Sequence, residues 1–280
     1  MAAIDPMFLT CTFYVYPSNE AARDGKAVGG CGVLIGWLSD PRASPHLYAV
    51  TAAHVLDGGN HVMRLADHAG NIEVIETRAG DWAHSYGDDI AALRIDHRNA
   101  FEMSVPLDLF VDETCHIGEW PIFPGDEVEL FGRFVGHDGR QLNKPVVRFG
   151  NVSMLPDPAD TVRINQKDQL AFLVECRSLS GFSGSPAFVR LSQPRHVHPL
   201  SPTKEATISN AQMFLGLDCG HFPNWSQARE RPEPTANRVP NTFVETNSGI
   251  AVVVPAWRIA LLLERDDFAD ERRRIERSTK

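Results

Sequence analysis

The chain has 280 residues, of which 43% are hydrophobic and 22% charged, a composition typical of a globular protein with one large domain or two small ones. Its formal net charge of −9 argues against a nucleic-acid-binding protein, which would normally carry a basic surface. No stretch approaches the roughly 18 consecutive apolar residues of a membrane-spanning helix. The apolar run at 7–16 follows an acidic residue, Asp5, and no basic segment precedes it, so we do not expect a signal peptide.

Runs of β-branched and aromatic residues that end at turn residues predict strands along most of the chain. In the first half we expect strands at 12–16, 30–35, 48–51 and 90–93, and a hairpin made of 61–65 and 72–77. In the second half we expect strands at 127–131, 145–152, 171–176, 187–189, 213–217 and 250–255.

The remaining stretches of the second half predict two loops and one helix. The loops are 193–206 and 222–247, which are polar and contain prolines. After the last strand, residues 257–277 carry aliphatic side chains at 259, 262 and 263, followed by mixed charges. This pattern predicts a single C-terminal helix that packs through one face and exposes the arginines at 272–274.

Three short segments carry side chains that could do chemistry. The segment GFSGSP at 181–186 places Ser183 between small residues, which suits a hydroxyl group on a tight loop beside backbone N–H donors. Such clusters are also common in ordinary turns. The segment TAAHV at 51–55 contains His54, which could equally be a core histidine, and DDIAAL at 88–93 could be a solvated acidic turn.

The sequence does not support a phosphate-binding loop or either of two possible metal sites. The GCG segment at 30–32 lacks the Gly-Lys-Ser/Thr ending of a phosphate-binding loop. The histidines at 196 and 198 fit a surface loop better than a zinc site. The acids at 88 and 89 have no second cluster of ligands nearby in the sequence, so we expect no metal there.

Together, in the order His, Asp, Ser, the three segments resemble the trypsin-like (chymotrypsin-fold) serine peptidases, in particular the bacterial, disulfide-free type similar to the HtrA peptidase domain. The resemblance covers residues 29–263. It implies an all-β fold of two six-stranded antiparallel β-barrels with a C-terminal α-helix. The first barrel, at 7–118, would carry the histidine and the aspartate, and the second, at 119–255, the serine. Residues 256–280 would form the helix and tail.

The resemblance also implies a function, that of a serine endopeptidase. Ser183 would attack the scissile carbonyl, His54 would transfer the proton, and Asp89 would orient the imidazole. The family places its acid directly before an aliphatic-Ala-x-Leu strand, which selects Asp89 over Asp88. The backbone N–H groups of Gly181 and Ser183 would form the oxyanion hole.

No metal or organic cofactor is expected for this chemistry. The expected partner is a protein or peptide substrate, without nucleic acid or membrane, and any regulatory partner is unidentified. Two alternatives remain open at the sequence level: a catalytically silent binding or scaffold module with the same fold, and a small-ester hydrolase that uses the same triad.

Specificity is the least determined feature. In the family, the residue six positions before the nucleophile lies at the base of the pocket for the side chain preceding the cut, and here it is Arg177, with Ser178 and Ser180 beside it. A guanidinium there would favour cleavage after Asp or Glu. Alternatively, Arg177 pairs with Glu175, Asp218 or solvent and leaves an apolar pocket, and bacterial members often accept small aliphatic residues.

Two departures from the secreted trypsins concern activation and redox state. Phe182 stands where members activated by cleavage carry an aspartate, which implies that N-terminal activation is not used. Val55 stands where many secreted trypsins carry a disulfide cysteine. The five cysteines, at 11, 31, 115, 176 and 219, are scattered and contain no Cys-x-x-Cys pair. We therefore expect reduced, mostly buried thiols in a cytoplasmic protein.

Overall fold

The computed structural model describes residues 4, 6–38, 46–66, 71–96, 104–117, 121–133, 143–176, 181–191, 211–230, 233 and 237–278. Strands make up most of the regular structure in these ranges, as the sequence predicts. None of the helices found there is long and apolar enough to cross a membrane.

The first sheet contains eight strands. They are β1 Thr12–Tyr16, β2 Gly30–Trp37, β3 His46–Thr51, β4 Val62–Ala66, β5 Ile72–Glu76, β6 Ala83–His84, β7 Ala91–Ile95 and β8 Val105–Pro106. Seven of them follow the order β5-β4-β1-β2-β3-β7-β6 with antiparallel neighbours, and β8 pairs with β2 in parallel. Each strand predicted for this half is present. Among the described residues the sheet is open, and the very short β6 and β8 extend it beyond the six strands expected.

The second sheet is a closed six-stranded barrel in the order β10-β13-β16-β15-β14-β9. Its strands are β9 Glu127–Gly132, β10 Val146–Met154, β13 Phe172–Glu175, β14 Pro186–Leu191, β15 Ala211–Arg229 and β16 Arg238–Pro255. Between β10 and β13 the chain forms a separate hairpin of β11 Val162–Ile164 and β12 Lys167–Gln169, which the sequence did not predict. The predicted all-β architecture of two successive antiparallel units is thus confirmed, with the second closed as a six-stranded barrel and the first open among the described residues.

The predicted loop at 222–247 is wrong. Strands β15 and β16 remain paired far beyond the barrel, with Trp225 opposite Glu245 and Arg229 opposite Arg238, so this stretch is a two-stranded ribbon. Trp225 is 58% exposed, as befits a ribbon outside the core. A ribbon without a buried face has no hydrophobic alternation, and this is why its sequence resembles a loop. The other predicted loop, at 193–206, lies outside the described residues.

One apolar core joins the two halves of the molecule. Two short helices flank it, α1 Pro6–Thr10 and α3 Ala53–Asp57. A third, α2 Asn19–Asp24, packs through Ala22 on a smaller separate cluster that includes Tyr14 and Tyr16. Helix α1 precedes the first sheet in sequence, but its Phe8 packs against Phe131 and Phe188 of the second barrel, with ring centroids 6.1 and 4.4 Å away. The N-terminal helix α1 therefore packs on the second barrel, although the strands that follow it in sequence belong to the first sheet.

Two C-terminal helices, rather than the single one predicted, return from the second barrel to the first sheet. They are α4 Ala256–Leu263 and α5 Asp266–Ser278. The expectation that Arg272 is solvated is wrong, because it is only 6% exposed. Its guanidinium lies 4.1 Å from the ring centroid of Trp37 and donates hydrogen bonds to the Tyr48 hydroxyl at 2.9 Å and the Leu263 carbonyl at 2.8 Å. Aromatic rings of the first sheet thus bury this cation.

This burial predicts that Arg272 stabilises the fold whereas its neighbour Arg273 does not. Replacing Arg272 with Ala removes a desolvated cation–π contact and hydrogen bonds from a charged donor, which should cost about 2–4 kcal/mol of the free energy of unfolding. Arg273 is exposed and pairs with Asp270 on the same helix, so Arg273→Ala should leave the urea midpoint unchanged. Equal midpoints for both variants and the parent protein would contradict the buried position of Arg272.

Candidate active site

Ser183 lies at the corner of a tight turn made by residues 182–185. The N–H of Ser185 donates to the carbonyl of Phe182 at 2.8 Å and closes the turn. Gly184, the third residue, has φ of 88°, the positive value that a type II turn requires at that position. Phe182 is fully buried, whereas Ser183 is half-buried. The turn therefore rests on an apolar anchor and presents the serine at the surface of a cleft.

The anchor occupies the position where cleavage-activated trypsins carry an aspartate. The ring of Phe182 packs into the core with the guanidinium of Arg148 5.1 Å from its centroid. The backbone of Gly132 passes so close that an added Cβ would lie 2.6 Å from this ring. An apolar ring thus packs at this position, and backbone hydrogen bonds from Gly184 to the Asp218 carbonyl and from Asp218 to the Ser185 carbonyl, at 2.7 and 2.9 Å, also hold the turn.

Strand β2 of the first sheet runs directly against this turn. The N–H of Cys31 donates to the carbonyl of Ser183 at 2.8 Å. A Cβ on Gly184 would lie 1.9 Å from the Cys31 carbonyl oxygen, and one on Gly30 would lie 2.9 Å from the Ser183 carbonyl oxygen. Glycine is therefore required on both sides of the contact, and Gly32 is required separately because a Cβ there would lie 2.1 Å from the Phe13 ring. Close packing thus explains the GCG segment at 30–32 without a phosphate.

His54 and Asp89 form a hydrogen-bonded pair beside the turn. The imidazole Nδ1 lies 2.5 Å from Asp89 Oδ2, and the backbone N–H of His54 donates to Asp89 Oδ1 at 2.9 Å. The Asp89 side chain is 1% exposed and that of His54 34% exposed. Two points of attachment to one carboxylate fix both the backbone and the ring of the histidine, and leave the ring edge accessible.

The surroundings of Asp89 favour its ionised form. Burial raises the pKa of Asp89, but the hydrogen bonds from His54, the charge of His54 and the amide of Asn165 together outweigh burial and hold this pKa below its usual value. Asp89 is therefore ionised at neutral pH. An ionised carboxylate at Nδ1 fixes the tautomer in which Nε2 is the proton acceptor.

Asp88, the neighbouring acid, has a different partner. Its carboxylate accepts from Arg258 of α4, with Nε and a terminal nitrogen each 2.9 Å from Oδ2, and from the Ser85 hydroxyl at 3.1 Å. Asp88 is 3% exposed whereas the Arg258 side chain is 34% exposed, so this is a partly buried ion pair. Only Asp89 of the two acids contacts His54.

The hairpin of β11 and β12 supplies contacts that sequence reasoning missed. The amide nitrogen of Asn165 lies 2.9 Å from Asp89 Oδ2, and the side-chain oxygen of Gln169 accepts from the Asp89 backbone N–H at 2.7 Å. Asn165 and Gln166 have φ of 49° and 64°, as a two-residue type I′ turn requires. An asparagine in such a turn is a recognisable sequence signal, but it does not reveal where the turn points.

His54, Gly181 and Ser183 face one cavity of about 540 Å³. The other described residues that line it come from the β11–β12 hairpin and from β15 and β16: Arg163, Ile164, Asn165, Asp218, Cys219, Gly220, His221, Phe222, Pro223 and Glu245. Ser183 carries the only hydroxyl group in this set. Within the described part of the chain, the backbone N–H groups of Gly181 and Ser183 have no protein acceptor.

Arg177, Ser178 and Ser180, predicted to bind substrate, lie outside the described residues.

Among the described residues, this cavity has neither a metal-binding cluster nor a reactive thiol. No group of three or more His, Cys, Asp or Glu among the described residues could hold a metal ion. All five cysteines fall within the described ranges, are buried and are free. Burial raises the pKa of Cys31 to about 11 and raises the pKa of Cys219, which lines the cavity, well above its usual value. Both thiols are therefore protonated at neutral pH and are poor nucleophiles.

No protein-family model and no curated protein sequence matches this chain. Solved structures do match, among them the apo form of the MamO protease domain from Magnetospirillum magneticum, with a TM-score of 0.52, 15% identity and coverage of 92% of this chain and 98% of that chain. The inactive form of the Rv3671c protease of M. tuberculosis gives a TM-score of 0.42 at 14% identity, covering 94% and 96% of the two chains. The NS6 protease of murine norovirus 1 gives 0.43 at 10% identity, covering 93% and 97%.

The MamO similarity extends over nearly the whole of both chains, and it agrees with the barrel topology described above. This chain therefore has the two-barrel, trypsin-like protease fold that its three motif segments predict. At 15% identity, this similarity establishes the fold and not the activity.

The burial of the thiols predicts that the native protein resists thiol reagents. We expect iodoacetamide at pH 8 to label none of the cysteines within minutes and to leave any activity unchanged, because the thiolate forms are scarce and buried. After unfolding without reductant, mass spectrometry should find five labelled cysteines, the number in the sequence. Rapid labelling of Cys219 in the native protein, or a disulfide after unfolding, would contradict this description.

Proposed function

We propose that this chain is a serine endopeptidase that hydrolyses peptide bonds through an acyl-enzyme intermediate on Ser183. One observation carries the proposal: the 2.5 Å contact of His54 with the buried Asp89 lies at a cavity whose only described hydroxyl group is that of Ser183. A hydroxyl, an imidazole with a fixed tautomer and a buried carboxylate are the groups that acyl transfer by serine requires.

In the proposed reaction, Ser183 Oγ attacks the carbonyl carbon of the scissile bond while His54 Nε2 accepts its proton. The C–N bond then breaks as the imidazolium returns that proton to the leaving amine, which leaves an ester on Ser183. Water attacks this ester, again with His54 as the base, and releases the acid product and the free serine. Asp89 remains ionised throughout and stabilises the imidazolium.

The negative charge that develops on the carbonyl oxygen requires donors that are already in place. We assign this role to the backbone N–H groups of Gly181 and Ser183, which have no acceptor among the described residues. Gly181 has φ of 89°, a conformation that non-glycine residues rarely adopt. Backbone donors fixed by a tight turn need no reorganisation as the charge forms, which is the source of their effect on rate.

The nucleophile is tested by Ser183→Ala, which should lower kcat on a peptide library by roughly 10⁴–10⁶. Adding His54→Ala to that variant should cost little more, because triad members act as a unit. Retention of parent activity by Ser183→Ala would overturn the proposal. Hydrolysis of small esters without cleavage of any peptide would indicate an esterase, and no turnover of either substrate a silent module.

The two adjacent acids provide a matched pair of variants. Asp89→Asn should lower kcat by roughly 10⁴, because the amide no longer holds the required tautomer of His54. Asp88→Asn removes the charge that pairs with Arg258, so it should lower the melting temperature while kcat, measured well below that temperature, changes little. The reverse ranking of the two variants in kcat would assign the orienting carboxylate to Asp88.

A further inference from the structure

The β11–β12 hairpin forms hydrogen bonds with the loop that carries Asp89. It lies between two strands of the second barrel in sequence, yet it contacts residues 88–89 of the first half at three points. The Asn165 amide donates to Asp89 Oδ2 at 2.9 Å, the Gln169 side-chain oxygen accepts from the Asp89 N–H at 2.7 Å, and Lys167 Nζ lies 3.4 Å from the Asp88 carbonyl oxygen. The acid is thus fixed from the opposite half of the molecule.

Both N–H groups of the Asn165 amide are used. One donates to Asp89 Oδ2 at 2.9 Å and the other to the Cys219 carbonyl oxygen at 3.0 Å. The amide nitrogen also lies 3.2 Å from His54 Nδ1, but Nδ1 bears the hydrogen that is donated to Asp89 and cannot accept another. Reversing the amide would place its oxygen against two acceptors, so the chemistry of the site fixes its orientation.

The Cys219 carbonyl is available to the Asn165 amide because of an irregularity in the second barrel. Asp218 pairs with Val253 and Gly220 pairs with Val252, so Cys219 is the extra residue of a β-bulge in β15. A bulge releases its residue from the ladder and redirects its polar groups. The carbonyl of Cys219 accepts a hydrogen bond from the Asn165 amide. Asn165 therefore links strand β15 to the carboxylate of Asp89.

We propose that Asn165 is a positioning residue that clamps the carboxylate of Asp89 against the imidazole of His54. The inference deepens the proposed function and rests on it. Oδ2 of Asp89 receives both the imidazole and the Asn165 amide, so rotation of the carboxylate would break both hydrogen bonds. Without the amide the carboxylate is held at Oδ2 by the imidazole alone, and the ring loses part of its fixed orientation. Asn165 touches no reacting atom in this arrangement and acts through Asp89.

The turn offers a matched pair of substitutions. Asn165→Gly deletes the amide at a residue whose φ of 49° glycine adopts freely, and Gln166→Gly makes the same change next to it, at φ of 64°, where the side chain has no contact with the pair. We expect Asn165→Gly to lower kcat about tenfold, the effect of losing one hydrogen bond to a charged group, and to leave KM within about twofold. Gln166→Gly should leave both constants unchanged.

A second variant covers the case in which Asn165→Gly unfolds. Asn165→Asp keeps the size of the side chain and tolerates the same φ, but it places a second carboxylate beside Asp89. Its kcat should fall further than that of Asn165→Gly. Parent values of kcat in Asn165→Asp would overturn the inference.

A readout independent of turnover separates this inference from the proposed function. The Nδ1 hydrogen shared by His54 and Asp89 should give a far-downfield proton NMR signal, which we expect to shift or broaden in Asn165→Gly and to stay unchanged in Gln166→Gly. If the parent protein cleaves no peptide but the signal still responds only to Asn165, the proposed function fails and the clamp stands. If the signal and kcat are the same in Asn165→Gly as in the parent, the clamp is wrong whatever the activity.

Discussion

A buried carboxylate must have its charge compensated by hydrogen bonds, and the cleft of this protein is arranged around that requirement at Asp89. Its Oδ1 accepts from the backbone N–H of His54, and its Oδ2 faces the imidazole and the amide of Asn165. These donors come from α3 of the first half and from the β11–β12 hairpin of the second. The contacts from His54 that make burial of the acid tolerable are the same contacts that orient the histidine. The contacts from Asn165 and Gln169 are added only when the two halves pack together.

Packing of the two halves depends in turn on glycines, which have no side chain, at the point where the halves meet. Strand β2 donates from Cys31 to the carbonyl of Ser183, and a Cβ on Gly184 would collide with that strand. The ring of Phe182, the first residue of the same turn, is buried in the core and fixes the turn by packing. The turn that carries the proposed nucleophile is thus fixed by backbone hydrogen bonds to Cys31 and Asp218, by close backbone approach and by the buried ring of Phe182, none of which involves the Ser183 hydroxyl. The hydroxyl remains available to the cleft.

The sequence predicted a structural feature correctly where the contacts that determine it are between residues close together in the chain. The family resemblance separated Asp89 from Asp88, because only Asp89 directly precedes the aliphatic-Ala-x-Leu segment at 90–93. The barrel strands were predictable because one face of each is buried. Arg272 was misassigned, since an arginine on a charged helix has the same local pattern whether or not distant aromatic rings enclose it. The ribbon of β15 and β16 was missed because it buries neither face. Asn165 is 76 residues from Asp89, and no periodicity records that contact.

The central claim is that His54 and Asp89 activate the hydroxyl of Ser183, and mapping a covalent adduct tests it most directly. The native protein is treated with a fluorophosphonate probe, digested, and the modified residue located by mass spectrometry, with His54→Ala treated in parallel. The account predicts one adduct, on Ser183, which forms rapidly in the parent protein and is lost in His54→Ala. An adduct on another serine, no adduct in the folded parent, or equal labelling of the two proteins would contradict it.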